Sequence, residues 1–248
     1  MVEHQLPKLR MRVQFPSPAP SLVLTVLLSL MFGSVVVAAE FSGYAVLATD
    51  YVYRGVSYSD GHGAAQLGGD VSLDSGFYFG AWGSTVDIAN GPGVQRDLEI
   101  DYYVGYGLDL SSKWSVGANV VSYNFPGTEG HYKYDYIEYT LTGNYDDRAW
   151  LEYSYSPDLY RTGRSSQNIA LYTEWQTVAQ LTLGAGAGIY DVSNLTGSDY
   201  SYWELGVSRP FGNIDIDLRY FDTSDWVRII STPARAQERI VLTVKFHF

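Results

Sequence analysis

The sequence lacks cysteine and is poor in charge, and both features restrict what the protein can be. A chain without cysteine forms no disulfide scaffold, no Cys-ligated zinc site, no thiol nucleophile and no acylated lipoprotein anchor. Charged residues make up 17% of the 248 residues, and 16 Lys and Arg against 27 Asp and Glu give a net charge of −11. An acidic chain without a basic cluster is a poor nucleic-acid binder. With 15% aromatic residues and 25 glycines, the chain is not of the disordered class.

The N-terminal segment has the pattern of an export signal. Cations precede an apolar run that ends in small residues, and Val37 and Ala39 fit the −3 and −1 positions of a signal-peptidase site. We therefore predict a signal peptide over residues 1–39 and a mature domain over residues 40–248. The alternative is a transmembrane anchor, but the run is short for a span and no stop-transfer cluster follows it. Met11 is an alternative start.

Beyond the signal, apolar residues recur at every second position, which is typical of β-strands with one buried and one exposed face. The clearest example lies between residues 98 and 110, where Leu98, Ile100 and Tyr102 alternate with Glu99 and Asp101. The pattern predicts twelve strands and no domain boundary. They are residues 41–57, 64–73, 76–87, 97–110, 113–124, 134–145, 148–158, 167–177, 180–190, 200–209, 213–222 and 238–248.

Short and long connections alternate strictly between these strands. The short ones follow every even-numbered strand: Asp74-Ser75, Ser111-Ser112, Asp146-Asp147, Val178-Ala179 and Pro210-Phe211-Gly212. The others are longer, from residues 59–63 up to residues 223–237. This alternation predicts an all-β, up-and-down antiparallel barrel of about twelve strands in the outer membrane of a Gram-negative cell, with short turns and both termini on the periplasmic side.

Aromatic residues fall where such a barrel meets the two lipid interfaces. Those near the tight turns predict a periplasmic girdle: Phe77, Phe79, Trp114, Tyr145, Phe246 and Phe248. Those toward the long connections predict an outer girdle: Tyr51, Tyr53, Tyr102 and Tyr139. Phe246 and Phe248 also give the C-terminal strand the form of the signal that the outer-membrane assembly machinery reads. Membrane lipid and that machinery are therefore expected partners.

A soluble periplasmic barrel or sandwich would show the same alternation with the apolar face turned inward. Two features argue against it. The opposite face carries many acids and glycines and is not the lysine-rich exterior of an ordinary soluble protein. The run with Gly184, Gly186 and Gly188 leaves one face nearly bare, which fits a lumen better than a solvated surface.

One motif adds a family resemblance. The stretch from Thr49 to Ser57, TDYVYRGVS, resembles the opening strand of the TorF-type porin family, a conserved proteobacterial outer-membrane family with the pattern T-D-Y-V-[FY]-R-G-[IV]-S-Q. Weaker likenesses extend over about residues 40–248, and Tyr58 departs from the glutamine of the family pattern. The resemblance implies an outer-membrane barrel classed with porins, without an assigned substrate or catalytic residue.

Candidates for chemistry are few. His62 and His131 lie in predicted outer loops, each two residues from a carboxylate, Asp60 and Glu129. They are the only basis for a hydrolase hypothesis, and a loop histidine of this kind is ordinarily a solvated residue. The sequence has no nucleophile elbow, zincin or phosphate-binding motif. We therefore expect no enzyme activity, no cofactor and no metal site.

The face opposite the apolar stripe is acidic and predicts the chemistry of the lumen. Eleven acids face four cations there, the cations being Arg54, Arg219, Arg239 and Lys245. The predicted pore-lining residues near mid-membrane are Asp70, Glu152, Glu174, Glu204, Asp217 and Arg219; those predicted at the outer mouth are Asp50, Arg54, Asp97, Glu99 and Asp101. Glu138 and Asp215 complete the acidic set. Arg54 lies too far along its strand from Asp50 to pair with it, so its partner is expected across the barrel or on a neighbouring strand.

Three functions follow from this sequence. The first is a passive channel for small solutes or ions, weakly cation-preferring because of the acidic lumen. The second is a closed structural or adhesive barrel, stiffened by interior salt bridges. The third, which has the least support, is an outer-membrane hydrolase.

Overall fold

A computed structural model describes residues 39–88, 98–126, 134–177, 180–224 and 233–248. The described residues are almost entirely β-strand. The strands are β1 (Ala39–Ala48), β2 (Val52–Tyr53), β3 (Val56–Ser57), β4 (Ala64–Leu73), β5 (Phe77–Thr85), β6 (Leu98–Asp109), β7 (Trp114–Asn124), β8 (Tyr136–Tyr145), β9 (Ala149–Ser156), β10 (Ser166–Gln176), β11 (Thr182–Asp191), β12 (Tyr200–Phe211), β13 (Ile214–Thr223) and β14 (Arg239–His247). One short α-helix (Ser193–Thr196) and two 3₁₀ turns (Leu159–Arg161 and Pro233–Ala236) lie in the long connections.

Twelve of these strands close into one antiparallel barrel, which confirms the predicted architecture. Each long strand pairs with its sequence neighbours, from β4 to β14, and β1 closes the ring between β4 and β14. Closure gives the strands hydrogen-bonding neighbours on both sides and leaves no open sheet edge, which a strand surrounded by lipid requires. The two remaining strands, β2 and β3, form a separate two-stranded sheet.

The predicted inner and outer faces are confirmed by burial. In β6 the side chains of Leu98, Tyr102 and Val104 are exposed, whereas Glu99 and Asp101 are fully buried. All six residues of the predicted periplasmic girdle are exposed on the outer surface, and so are Tyr102 and Tyr139 at the other end. The barrel is therefore apolar outside, and its polar side chains face inward.

The first predicted strand is wrong in its second half. β1 ends at Ala48, and all ten of its residues pair with the ten residues of β4. Residues 49–63 leave the wall, so the first long connection is longer than residues 59–63. Tyr51 and Tyr53 consequently do not belong to the outer girdle, because Tyr51 is fully buried and Tyr53 packs against the buried cluster inside the barrel.

The ends of the barrel follow the predicted alternation of short and long connections. The turns after β4, β6, β8 and β12 are short, as expected. The turn predicted at Val178-Ala179 and the signal peptide predicted over residues 1–39 lie outside the described residues, except that Ala39 is the first residue of β1. None of the described residues forms a helix long and apolar enough to cross a membrane.

The seam between β1 and β14 is the shortest pairing in the barrel wall. It aligns five residue pairs, from Tyr44 with His247 to Ala48 with Thr243, whereas β1 and β4 align ten. Phe248 extends it: its N–H donates to the Gly43 carbonyl at 2.9 Å, and its carbonyl accepts from the Gly43 N–H at 3.0 Å. Its ring also lies where a side chain at position 43 would be.

Deletion of Phe248 is therefore expected to impair barrel closure more than the substitution His247→Asn. The deletion removes two hydrogen bonds and a ring contact from a seam of five pairs. The amount of folded barrel, measured as the band that changes mobility on boiling, should fall clearly below wild type. His247→Asn, which affects only the contact with Asp215, is the control. Equal folded fractions for the deletion and the wild type would contradict this role of Phe248.

Candidate functional site in the barrel interior

After β1 the chain turns into the barrel and forms a short hairpin with a two-residue loop. We call residues 50–59 the inward hairpin. Val52 pairs with Ser57 and Tyr53 pairs with Val56, so that Arg54 and Gly55 form the tip. Both tip residues have positive φ, 48° at Arg54 and 79° at Gly55, as in the type I′ turns that suit two-residue hairpins. A side chain at position 55 would overlap those of Thr223 and Tyr202, so only glycine fits this close approach to the wall.

The base of the inward hairpin is fixed by Asp50. One carboxylate oxygen accepts hydrogen bonds from the hydroxyls of Ser57 and Ser59, at 2.6 and 2.7 Å. The other oxygen accepts from the Arg239 guanidinium at 2.6 Å. Since Arg239 begins β14, this network ties the base of the hairpin to the wall beside the seam. The Ser59 hydroxyl also accepts from the Tyr51 N–H at 2.8 Å.

The tip of the inward hairpin reaches the opposite wall. Arg54 donates two hydrogen bonds to Glu138 on β8, each 2.9 Å long. The guanidinium also lies 3.9 Å from Glu152 on β9 and 4.5 Å from the ring centre of Tyr190 on β11. The expectation that Arg54 finds its partner across the barrel is thus confirmed. Arg54 is 7% and Glu138 2% exposed, so the ion pair is shielded from solvent.

Burial and neighbouring charge shift the pKa of Arg54, at the tip, in opposite directions. Burial alone would lower the pKa of Arg54, but Glu138, together with the neighbouring Tyr53 and Tyr190, raises the pKa well above its ordinary value. Arg54 therefore keeps its charge at any physiological pH. A fixed cation with a bidentate carboxylate partner gives the tip one defined position.

Aromatic rings surround the inward hairpin and fill the loop end of the barrel. Tyr51 packs edge-on against Trp82 with ring centres 5.5 Å apart, and its hydroxyl donates to Glu99 at 3.1 Å. The hydroxyls of Tyr58 and Tyr160 are 2.8 Å apart. The same buried cluster includes inward side chains from β5 to β12 and extends toward the tight turns at Tyr103, Trp150 and Tyr172. Its other wall members are Trp82, Val121, Tyr123, Tyr136, Tyr190, Tyr200 and Tyr202. The hairpin thus occupies the cross-section at this level.

The glycine-rich wall of β11 is covered by rings. A side chain at Gly186 would overlap the ring of Tyr172, and one at Gly188 would overlap that of Tyr202. The two tyrosines lie on the neighbouring strands β10 and β12, and their hydroxyls are 3.3 Å apart. The bare face that the sequence predicted is therefore the surface on which these rings lie, and it leaves less open lumen than the glycines alone indicate.

A second buried charge network lies on β12 and β13. Arg219, which is 2% exposed, donates to Glu204 at 2.9 Å and to Asp217 at 3.0 Å. Toward the tight turns, the Lys245 ammonium lies 4.0 Å from the ring centre of Tyr44, Asp70 accepts a hydrogen bond from Tyr103, and the His247 ring lies 2.7 Å from Asp215. Inward charges are thus held by specific partners over the height of the barrel.

The structure places the predicted site residues on the interior surface of the barrel. Ten of the eleven predicted acids belong to the described residues, and all ten lie inside the barrel: Asp50, Asp70, Glu99, Asp101, Glu138, Glu152, Glu174, Glu204, Asp215 and Asp217. The eleventh, Asp97, is outside the described residues. The four predicted cations are also inside, and Arg235, which pairs with Asp60 at 3.1 Å, is a buried cation that the strand pattern missed. Whether these groups line a conducting path stays a prediction.

The residues predicted at the outer mouth lie at the loop end but are not open to solvent. Glu99 and Asp101 are fully buried, and Asp50 and Arg54 are 5% and 7% exposed. The inward hairpin covers this level. Below its tip is a cavity of about 30 Å³, enough for about two water molecules, lined by Arg54, Asn119, Thr140, Thr142, Glu138 and Glu152 among others.

The histidines of the hydrolase hypothesis give no assembled site. His62 is exposed in the first long connection, 3.6 Å from Asp87 and within hydrogen-bond distance of the Ser59 carbonyl. His131 lies outside the described residues. Within the described segments, no group of three or more His, Asp or Glu side chains is arranged to hold a metal ion.

A closed antiparallel barrel of twelve strands, apolar outside and charged inside, has the architecture of the transmembrane β-barrels of outer membranes. The chain belongs to the bacterial family described as "Bacterial protein of unknown function (Gcw_chp)", whose family model matches residues 36–247. No functionally curated protein gives a significant sequence match.

Solved structures with a similar fold include porins. KdgM porin superposes with a TM-score of 0.52 at 10% identity, covering 84% of this chain and 99% of that one. NanC porin gives a TM-score of 0.52 at 9% identity, with the same coverage. KdgM porin has also been solved in complex with disordered oligogalacturonate. Identities this low establish a shared fold alone.

Proposed function

We propose that the protein is an outer-membrane channel for the passive diffusion of small solutes or ions, with a weak preference for cations. The observation that carries this proposal is the acidic interior: ten carboxylates against five cations among the described residues. A charged wall enclosed by a low-dielectric barrel raises the local concentration of ions of opposite sign. The expected solutes are therefore inorganic cations or small neutral or cationic organic molecules.

The interior charge also argues against one ligand that is present in the structure of a neighbour. Oligogalacturonate, which is present in one KdgM porin structure, is a polyanion. A net negative interior repels a polyanion, so we do not extend that ligand to this chain. The shared barrel supports a channel, while the charge of the interior supports a preference for cations.

Localisation and assembly belong to the same proposal. The exposed apolar band and its two aromatic girdles fit outer-membrane lipid, and β14 with Phe246 and Phe248 fits recognition by the assembly machinery. The TDYVYRG motif, which resembles the TorF-type porins, forms the inward hairpin. We infer that the protein reaches the outer membrane after cleavage near Ala39.

A closed structural or adhesive barrel is the second candidate, and the inward hairpin is the observation in its favour. The hairpin and the aromatic rings around it fill the loop end of the lumen. The hydrolase hypothesis has no comparable support, since the described histidines are not positioned against a serine or threonine nucleophile. We therefore propose a non-enzymatic role.

Reconstitution into planar bilayers tests the proposal. We expect single-channel events and, in a KCl gradient, a reversal potential of the sign that marks cation preference. The preference should weaken as salt rises, because the Debye length falls to about 10 Å at 0.1 M salt and about 3 Å at 1 M. Folded protein is verified by its mobility change on boiling. Anion selectivity would overturn the cation preference, and no conductance from wild type or from variants with a disrupted hairpin would overturn the channel assignment.

A further inference from the structure

The inward hairpin contacts the wall over most of its circumference. Its base pairs with Arg239 on β14, Tyr51 packs on Trp82 of β5, and the tip reaches Glu138 on β8. Gly55 lies against Tyr202 and Thr223, at the loop ends of β12 and β13. A hairpin held between β5, β8, β12 and β14 crosses the lumen and does not merely line one side of it.

The two ends of the hairpin are held differently. The base is covalently continuous with β1, and Asp50 accepts a hydrogen bond from Arg239 on β14, so the base is fixed to the wall. Two further hydrogen bonds to Asp50, from Ser57 and Ser59, hold the base together within the hairpin. The tip is held to the far wall mainly by the bidentate ion pair of Arg54 with Glu138. The guanidinium also contacts Glu152 and the ring of Tyr190, and the Tyr53 hydroxyl lies 3.5 Å from Glu138. The cavity beneath the tip shows that the packing on that side is incomplete.

The tip also carries backbone strain. Arg54 has a φ of 48°, in the left-handed region that is unfavourable for a residue with a side chain. Such a conformation persists where surrounding contacts hold it, and it is found at clamps and switches. Here the contact that holds it is the Glu138 carboxylate. Loss of that contact would release the strain and leave Arg54 with the longer ion pair to Glu152.

We propose that the inward hairpin is a plug that gates the barrel, with the Arg54–Glu138 ion pair as its latch and the Asp50 network as its hinge. This inference rests on the proposed channel function and specifies how conduction is controlled. With the latch closed, the hairpin and its tyrosines block the loop end of the lumen. With the latch open, the tip leaves Glu138 and exposes the acidic wall to solutes.

The test combines conductance with a chemical probe of the hairpin position. Glu138→Gln removes the charge that holds Arg54 while keeping the size of the side chain. Removal of one partner from a buried ion pair is strongly destabilising, and in this variant the longer contact with Glu152 is the only ion pair left to Arg54 among the described residues, so the closed state is disfavoured. We expect the open probability in planar bilayers to rise on the order of tenfold or more. Arg148→Gln is the control, since Arg148 is exposed in a tight turn and 3.6 Å from Asp146.

The absence of cysteine allows a second readout that does not depend on conduction. Val56→Cys places a single thiol on the hairpin, at a position that is 4% exposed. A membrane-impermeant thiol reagent should label it slowly in the otherwise wild-type protein and on the order of tenfold faster when Glu138→Gln is added. Arg54→Lys serves as the milder variant if Glu138→Gln folds poorly, because it keeps the charge but loses the bidentate geometry, and intermediate effects are expected.

The possible outcomes distinguish failure of the gating proposal from failure of the proposed channel function. Faster labelling together with more frequent opening supports the gate. Unchanged labelling and unchanged conductance in both latch variants, with a conducting wild type, would overturn the gate and leave the channel function standing. Faster labelling without conductance from any variant would show that the hairpin moves but the barrel is not a channel, which overturns the proposed function and the gating role with it.

Discussion

Substitution of Arg219 by methionine is expected to destabilise the barrel by about 3–5 kcal/mol, the usual effect of removing one partner from a buried ion network. Arg219 is 2% exposed and neutralises Glu204 and Asp217 at 2.9 and 3.0 Å. Without it, two inward carboxylates stay close together without their cation. The temperature at which the compact band converts to the unfolded band should fall markedly.

Two further variants identify the cause of this loss. Arg148→Met removes an exposed arginine and should change stability by no more than about 0.5 kcal/mol. Glu204→Gln with Asp217→Asn, combined with Arg219→Met, should recover much of the lost stability, because replacing all members of a buried network by neutral groups is often nearly neutral. A wild-type unfolding temperature for Arg219→Met alone would contradict the importance of this network.

Neutralisation of three interior acids is expected to abolish most of the cation preference. Glu152→Gln, Glu174→Gln and Asp217→Asn together remove three of the five net negative charges counted inside the described part of the barrel. The reversal potential in a salt gradient should therefore move more than half of the way toward zero.

The matched control removes the same charge from outside the lumen. Asp74→Asn, Asp109→Asn and Asp147→Asn affect exposed residues at the tight turns or the strand ends beside them and change the net charge equally. We expect the control to keep the wild-type reversal potential, since solvent and salt screen those positions. If both triple variants behave alike, selectivity does not arise from the interior wall.

The wall of the barrel was predictable because each strand obeys one local rule. The alternation of Leu98, Ile100 and Tyr102 with Glu99 and Asp101 assigns both faces of β6 without tertiary information. Tight turns and long connections fix the order of neighbours, so twelve strands in an up-and-down barrel followed from the sequence. Interior charges were found by the same rule, as the face opposite the apolar one.

The inward hairpin was not predictable from that rule. Residues 49–57 continue the alternation of β1 in sequence, since Asp50 and Arg54 alternate with Tyr51 and Tyr53, although in the structure residues 50–57 are buried except for the partly buried Tyr53. The available signal was Arg54-Gly55, since a glycine in the second position of a two-residue loop is typical of type I′ turns. Arg54 and Glu138 are 84 residues apart, and no local pattern relates positions so distant. Arg235 was missed because it lies in a connection, where alternation does not apply.

These long separations along the sequence also determine the order in which the parts of the barrel fold. The hairpin follows the first strand, yet its tip partner is 84 residues later and its base partner, Arg239, is 189 residues after Asp50. Contacts between such distant positions form slowly, since long segments must be ordered before the contacts contribute. The hairpin therefore docks only after β8 and β14 are in place. Its docking is a late step of maturation, and a barrel that has stalled before closing its seam still carries an undocked hairpin.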